Sequence, residues 1–368
     1  MKQLKVDLKE RSYDILIGHN LILNLSQYIE PHICGSKAII VTDNHVSQYW
    51  LSFVEDALKI LGKNYHIIEV AAGEASKSFA NFEQCCNDAL YWGIDRQTTL
   101  IALGGGVVGD LTGFLAASLL RGLPFIQLPT SLLAQVDSSV GGKTGINAGP
   151  GKNLVGAFWQ PQLVLADVSF LGSLSERQLR SGYGEVIKYG LIHKPEFFEW
   201  LSSNNSDILA KNKDALSHII YESCASKAQI VGMDEHEQGQ RALLNLGHSF
   251  GHVLEAFTGY SDKLLHGEAI AIGMQLAFDY SVKLGVCPQE DAQKVKHLLE
   301  QAGLPISLKE LSLGQSWSAE QYLELIKKDK KVKDDKITLI LAKSIGKAYI
   351  EESVSVEELY IFLEENLS

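Results

Sequence analysis

Five polar side chains stand at spacings of 4, 3, 4 and 3 in an otherwise apolar stretch: Arg241, Asn245, His248, His252 and Glu255. On an α-helix that spacing puts them on one face, while Leu243, Leu244, Leu246, Phe250, Val253 and Leu254 cover the remainder. A helix buried by its apolar sides carries such a stripe where the stripe lines a site, because an unpaired buried guanidinium or imidazole is costly. Solvated helix faces carry Lys and Glu, whereas two imidazoles at i and i+4 bind metal or move protons. Glu185 and Lys188 share a face of an earlier helix at i, i+3, and His266 opens a later one. Three histidines and a glutamate on neighbouring helices can supply the two-His-plus-carboxylate set of a catalytic zinc site. Spacing leaves open whether His252 or His266 completes it.

A second concentration of chemistry follows the apolar run 99–103, which leads into Gly104-Gly105-Gly106-Val107-Val108-Gly109-Asp110 and then a helix. Gly104, Gly106 and Gly109 have the G-x-G-x-x-G spacing in a strand–turn–helix context, which lets backbone N–H groups approach a pyrophosphate at a helix N-terminus. The acid that takes the ribose hydroxyls in a dinucleotide fold, about 20 residues further on, is absent, since that stretch reads Leu123-Pro124-Phe125. Asp43, ending the run 38–42, is the substitute acid from another strand. A plain Rossmann dehydrogenase is thereby excluded. Arg121, Lys143, Lys152, Asn153, Lys188, Lys227, Arg241 and Lys330 add basic and polar groups. The segments Gly141-Gly142-Lys143-Thr144 and Gly151-Lys152-Asn153 resemble phosphate-binding turns without Walker A spacing.

The elements that must position these groups follow from periodicity. Apolar β-branched runs at 38–42, 67–70, 99–103, 125–128 and 163–166 predict strands buried on both faces of a mainly parallel sheet. Helical periods predict helices over 184–193, 214–231, 241–257, 267–284, 289–302 and 319–329. A hairpin is expected at 336–341 and 348–354, then a final helix opened by a Ser355/Glu358 capping box. The expectation is an α/β domain over 1–177 followed by a mainly helical domain over 178–368, consistent with a chain of 368 residues.

Composition narrows the partners. Lys and Arg number 33 against 44 Asp and Glu, a net charge of −11 that argues against nucleic acid and against an anionic membrane surface. Much of the excess is terminal, with Glu351, Glu352, Glu357, Glu358, Glu364 and Glu365 and no Lys or Arg after position 350. The five cysteines (Cys34, Cys85, Cys86, Cys224, Cys287) form no C-x-x-C pair and suit a reducing cytoplasm. Asp7, Glu10 and Arg11 interrupt any secretory signal, and no apolar run approaches the roughly 18 residues of a membrane span.

Several collinear motifs resemble the 3-dehydroquinate synthase family over essentially the whole chain. They are 73–78 (GEASKS), 104–113 (GGGVVGDLTG), 135–144 (QVDSSVGGKT), 151–158 (GKNLVGAF), 185–188 (EVIK), 241–248 (RALLNLGH) with His252, and 265–268 (LHGE). The resemblance implies an N-terminal Rossmann-like NAD-binding domain, an all-α C-terminal metal-binding domain, and a homodimer. It assigns zinc or cobalt to Glu185, His248 and His266, leaving His252 to handle protons and touch substrate. Implied cofactor contacts are Asp43, Gly73, Glu74, Lys77, Gly105, Gly106, Val107 and Asp110, continuing with Thr130, Ser131, Asp137, Lys143, Lys152, Phe170 and Ser173. Implied substrate contacts are Asp137, Lys143, Asn153, Lys188, Lys227, Arg241, Asn245, His252 and Lys330, with Arg121 reaching into the partner subunit's site. Two departures are small: Ser131 replaces a common Thr and keeps the hydroxyl, and Gly184 replaces a usual Ala and weakens its helix slightly.

The implied reaction turns 3-deoxy-D-arabino-heptulosonate 7-phosphate into 3-dehydroquinate and phosphate. It runs through transient oxidation by NAD, phosphate elimination, re-reduction, ring opening and an intramolecular aldol closure. Other sugar phosphate cyclases, of the 2-deoxy-scyllo-inosose or 2-epi-5-epi-valiolone synthase type, and a metal-dependent polyol dehydrogenase are the alternatives. A non-catalytic binding subunit is the alternative from another class. The Lys227/Arg241/Asn245/His252 set argues against cyclases that bind no carboxylate, and Glu185-x-x-Lys188 against the dehydrogenase.

Overall fold

Aliphatic runs without polar alternation make stable strands where both sheet faces are covered. The computed structural model describes residues 1–149, 151–235, 237, 239–308, 311, 318–329, 332–333 and 336–367. It opens with β1 (Lys2–Val6) and β2 (Tyr13–Gly18), an antiparallel pair that the run pattern did not anticipate. Four strands follow: β3 (Lys37–Asp43), β4 (Asn64–Val70), β5 (Thr99–Gly104) and β6 (Phe125–Pro129). After them come a hairpin, β7 (Lys143–Ala148) with β8 (Gly151–Phe158), and β9 (Leu163–Asp167). Seven strands form one sheet in the order β1-β2-β9-β6-β5-β3-β4, parallel beyond the first pair. All five expected strands lie in it.

Helices α1 (Leu25–Ile29), α2 (Ser47–Ile60), α3 (Phe79–Trp92) and α4 (Gly106–Ser118) cover the sheet. Alternate residues of β3 separate to the two faces. Ile40 joins Ile29, Val54, Leu58 and Ile101 in one core, while Ile39 and Val41 join Cys85, Ala89, Leu111 and Leu115 in the other. Each buried aliphatic side chain contributes about 1.5–3 kcal/mol. Chain order reverses direction between β3 and β5: the connection from β3 leads to β4 on one side, that from β5 to β6 on the other. Ligands of open α/β sheets sit at the carboxyl ends of strands at such a switch point, where β5 ends at Gly104 and β3 at Asp43.

Three helices come next: α5 (Glu176–His193), α6 (Pro195–Leu209) and α7 (Lys213–Met233). The chain forms two compact units, Met1–Ser175 with Lys211–His236, and Glu176–Ala210 with Glu237–Ser368. The expected single cut at 177/178 therefore becomes a discontinuous division, because α7 belongs to the first unit. It packs on β1, β2 and a π-helical turn at Ala134–Ser138, burying Ile219, Ile220 and Cys224. The Cys224 thiol donates to the Gln135 carbonyl at 3.1 Å.

The second unit continues with α8 (His248–Phe257), α9 (His266–Lys283), α10 (Gln289–Gln301) and α11 (Ala319–Asp329). It ends with a three-stranded antiparallel sheet, β10 (Val332–Lys333), β11 (Lys336–Ala342) and β12 (Ala348–Ser355), and with α12 (Val356–Leu367). Among its described residues the unit is thus helical apart from one small sheet, whose β11–β12 hairpin was expected. Ser355 Oγ accepts from Glu358 N at 3.4 Å, the N-cap half of the expected capping box. The continuous helix expected over 241–257 is broken: Gln240–Asn245 is a 3₁₀ turn, and Gly247 at φ +81° precedes α8. A left-handed residue ends helical hydrogen bonding, and Gly adopts it without Cβ strain. Arg241 and Asn245 therefore do not share a helix face with His248. Among the described residues, no helix is long and apolar enough to cross a membrane.

Candidate functional site

Three chain segments of the second unit converge on the metal-ligating types. Glu185 is fully buried on α5, His248 is the first residue of α8, and His266 is the first residue of α9. Glycines permit this convergence. A Cβ on Gly267 would lie 1.8 Å from the Ser181 carbonyl oxygen, and one on Gly273 would lie 2.0 Å from the Gly247 carbonyl. The α5 and α9 backbones thus touch directly, as do α9 and the entry to α8. Gly184, read from sequence as a mild weakness in α5, sits at the same crossing with its Cβ direction 2.9 Å from the Gly267 carbonyl oxygen. Ser181 Oγ accepts from Gly267 N at 3.0 Å. Arg177 grips Glu268 through Nε and Nη2 at 2.6 and 2.7 Å and donates to the carbonyls of Asp262 and Lys263, fixing the segment that leads into His266.

Among the described residues, Glu185, His248 and His266 form the one group whose ligand atoms all lie within 4.8 Å of one another. Glu185 Oε1 is 3.3 Å from His266 Nε2 and 3.7 Å from His248 Nε2. His252, one turn along α8, has its ring 5.2 Å from that of His248 and 6.4 Å from that of His266 but is outside this group. The geometry thus chooses His266 over His252. The outer nitrogens face acceptors: His248 Nδ1 lies 3.3 Å from the Leu246 carbonyl and His266 Nδ1 3.1 Å from Glu255 Oε2. Lys188 pairs with Glu185 in the same buried environment.

The electrostatics follow from burial and charge. Burial, reinforced by the Lys188 cation, holds His248 well below its ordinary pKa and keeps it a neutral donor. Burial also opposes the His266 cation, but Glu255 and Glu185 outweigh it and raise that imidazole to about 10. A carboxylate and two imidazoles are a donor set suited to Zn²⁺ or Co²⁺, so these residues fit a divalent transition metal. Arg241 is buried in the 3₁₀ turn of this unit, and Asn245 Nδ2 donates to Glu237 Oε1 at 2.9 Å.

The first unit places Asp43, Gly73 to Lys77, Gly105 to Asp110, Thr130 and Ser131 at or just after the carboxyl ends of β3, β4, β5 and β6. Gly105 caps α4 without a side chain, leaving backbone N–H groups at the helix start. Asp43 Oδ1 accepts from His45 N and Val46 N, both at 2.9 Å, which fixes its carboxylate beyond β3. Thr130 donates its N–H to the Gly104 carbonyl at 2.9 Å, and the Ser131 hydroxyl accepts from Ala134 N at 3.2 Å. Gly73, at φ +107°, opens the 3₁₀ turn Glu74–Ser76. Buried Lys77 pairs with Asp110 at 2.6 Å and with Asn153, and lies 3.8 Å from Glu74. Asn147 links the set, donating to Glu74 at 2.8 Å and accepting from Asn153 N at 2.9 Å. Burial raises the Asp110 carboxyl, and Lys77 opposes that shift. Lys227 on α7 meets Asp137 through both its carbonyl (2.8 Å) and its carboxylate (3.0 Å).

Other expected residues fall differently. The two glycine-containing segments build a hairpin: Gly141 and Gly142, both at positive φ, lead into Lys143 at the start of β7, and Lys152 and Asn153 lie in β8, with Asn153 at φ +55°. Phe170 is fully buried edge-on to Trp50, and the Ser173 hydroxyl accepts from Trp50 Nε1 and donates to the Phe170 carbonyl. Lys330 lies outside the described residues. Arg121 is exposed in the short turn Leu119–Arg121 that follows α4, and Leu120 and Arg121 are both left-handed (φ +49° and +69°). Asn147, Arg177 and Glu237 were not singled out from sequence. Arg177 and Glu268 are 91 positions apart, so no local spacing could pair them.

Comparison with known proteins then gives the relationships. The N-terminal model of 3-dehydroquinate synthase matches residues 67–181, and the C-terminal model matches 182–332. A 3-dehydroquinate synthase from Rhodospirillum rubrum is 49% identical over 347 residues, covering 94% of this chain and 90% of the relative. Among solved structures, a 2-deoxy-scyllo-inosose synthase aligns over 100% of both chains with a TM-score of 0.88 at 24% identity. The 2-epi-5-epi-valiolone synthase of Streptomyces hygroscopicus, solved with NAD⁺ and Zn²⁺ bound, aligns over 97% of both chains with a TM-score of 0.86 at 25% identity.

Proposed function

Because the chain belongs to the 3-dehydroquinate synthase family, we propose that it converts 3-deoxy-D-arabino-heptulosonate 7-phosphate into 3-dehydroquinate and phosphate, a carbon–oxygen lyase step of the shikimate route to chorismate. The observation that carries this reading is the Glu185/His248/His266 group, built on a fully buried Glu185 with Lys188 paired beside it. A polyol dehydrogenase needs the metal donors, but it has no leaving phosphate for a buried lysine to serve.

When bound, a divalent metal supplies Lewis acidity toward a substrate hydroxyl, and NAD supplies reversible hydride acceptance. Glu185 Oε1 and the Nε2 atoms of His248 and His266 would hold the metal. Asp43, Glu74, Lys77, Gly105, Gly106, Val107, Asp110, Thr130, Ser131 and Lys152 would hold NAD, with backbone N–H groups at the α4 start meeting its pyrophosphate. In the second unit, Arg241 and Asn245 suit the substrate carboxylate and hydroxyls, since guanidinium binds carboxylate through paired hydrogen bonds. Lys188 is a cation for the departing phosphate, and His252 holds and passes a proton beside the metal donors. In the first unit, Lys143, Asn153 and the Lys227–Asp137 pair are assigned to substrate.

The same reading makes the protein a cytoplasmic homodimer in which Arg121 serves the partner's site. Two consecutive left-handed non-glycine residues are costly and persist where they serve a purpose; here they present the exposed Arg121 side chain outward. The test is a substrate panel with NAD⁺ and Zn²⁺. The heptulosonate phosphate should be turned over, and phosphosugars without a carboxylate should not. Preferential turnover of a sugar lacking the carboxylate would move the chain to another cyclase activity.

A further inference from the structure

Glu255 completes the polar stripe read from the sequence, yet neither the metal group nor the substrate assignment uses it. It lies on α8, seven residues after His248 and therefore on the same helix face. Its carboxylate is 4% exposed. A buried carboxylate costs several kcal/mol unless paired, and this one has Oε2 3.1 Å from His266 Nδ1. The opposite nitrogen of the same ring, Nε2, lies 3.3 Å from Glu185 Oε1.

A single imidazole is thus bracketed by two carboxylates. Glu255 holds the ring from the Nδ1 side, so Nε2 points at Glu185 Oε1 and into the group of donor atoms that would hold the metal. His248 follows the same pattern with the Leu246 carbonyl behind it. The carbonyl is backbone and cannot be removed by substitution, whereas Glu255 can.

We propose that Glu255 is a positioning residue that fixes the tautomer and orientation of His266, and so sets the affinity of the Glu185/His248/His266 group for a divalent metal. The proposal rests on the metal reading of that group. A carboxylate behind a ligating imidazole raises its basicity and fixes its ring, and substitutions there typically cost about 10–100-fold in metal affinity. The two carboxylates also bring a second buried negative charge to offset a dication, beyond what Glu185 gives against Lys188.

The experiment titrates metal-stripped full-length protein with Zn²⁺ against a chromophoric chelator, and records the visible absorption of the Co²⁺-loaded form. E255Q keeps size and burial but removes the charge; E255A removes the acceptor as well. The expected result is about a 10-fold loss of Zn²⁺ affinity for E255Q and up to about 100-fold for E255A. Both should show a shifted Co²⁺ absorption band and NAD⁺ affinity equal to that of the unsubstituted protein. A purely structural role would lower the melting temperature of the metal-free protein without changing the Co²⁺ band. Zn²⁺ affinity within twofold of the unsubstituted protein for E255Q, with an unchanged Co²⁺ band, overturns the proposal, and E255Q decides alone if E255A does not fold. H248A separates the two levels. If H248A keeps full Zn²⁺ affinity, the metal reading itself fails; if H248A loses Zn²⁺ and E255Q does not, only the role of Glu255 fails.

Discussion

Gly267→Ala is the most economical way to disturb the site without touching a proposed ligand. The new Cβ would sit 1.8 Å from the Ser181 carbonyl oxygen, 2.5 Å from its carbon and 2.8 Å from its Cα. All three are backbone atoms, so no side-chain rotation relieves the clash. Real Cβ contacts stop near 3.0 Å, so α5 and α9 must part by about 1.2 Å at the crossing. Overpacking costs about 1–3 kcal/mol, and backbone against backbone belongs at the upper end. For a unit of this size that is a melting temperature lower by about 6–12 °C. The separation also acts on Glu185 and His266, which sit on the two parting helices with donor atoms 3.3 Å apart. Metal–ligand distances tolerate about ±0.2 Å, so Zn²⁺ affinity should fall by more than the roughly 100-fold upper bound for changes behind a ligand. Calorimetry of the metal-free form and chelator competition measure the two effects. Gly184→Ala is the internal control. Its Cβ would be 2.9 Å from the Gly267 carbonyl oxygen, barely inside the limit, and replacing an interior helix glycine gains about 0.5–1 kcal/mol. It should keep both stability and Zn²⁺. A Gly267→Ala protein with unchanged Zn²⁺ affinity and melting temperature would refute the claim that this glycine crossing assembles the donors.

Three further outcomes are expected. His248→Ala should lose metal and turnover together, checked by metal analysis and phosphate release; retained stoichiometric zinc would contradict the donor assignment. Arg121→Ala should lower turnover strongly, and mixing it with His248→Ala subunits should restore about a quarter of full activity through heterodimers with one intact site; no recovery on mixing would remove the cross-subunit role. Lys77→Met should weaken NAD⁺ binding in fluorescence titrations and strand the Asp110 carboxylate. Burial already raises that carboxyl while Lys77 opposes the shift, so without Lys77 the folded form holds the Asp110 proton more tightly than the unfolded chain does. Stability of the variant therefore falls as pH rises through that range, and its deficit against the unsubstituted protein should shrink from pH 8 toward pH 5 in thermal melts. A deficit that grows on acidification would contradict this.

How far the sequence led depended on what kind of force fixes each element. The central strands were legible because both faces of β3, β5, β6 and β9 are buried, which leaves an uninterrupted aliphatic run. The β7–β8 hairpin was not, because its glycines and exposed Lys143, Asn153 and Leu154 read as turns, and pairing across the hairpin decides its conformation. The break before α8 hid in one residue, Gly247, whose left-handed backbone outweighs an apolar periodicity running through it. Helix α7 was found, but its membership of the first unit depends on packing against β1 and β2, strands more than 190 positions away. In the site, helix spacing gathered His248, His252 and Glu255 correctly, while the choice of His266 needed the α5–α9 crossing. The acid behind His266 was in the stripe, but its partner lies on another helix and gave no local signal.

The decisive measurement incubates the protein with 3-deoxy-D-arabino-heptulosonate 7-phosphate, with and without added NAD⁺, and with a chelator followed by Zn²⁺ or Co²⁺. Phosphate and 3-dehydroquinate are expected in equal amounts, with no net NADH, loss of turnover with the chelator, and recovery on adding either metal. Phosphate release unaffected by complete metal removal, or steady accumulation of NADH without phosphate, would contradict the proposed function.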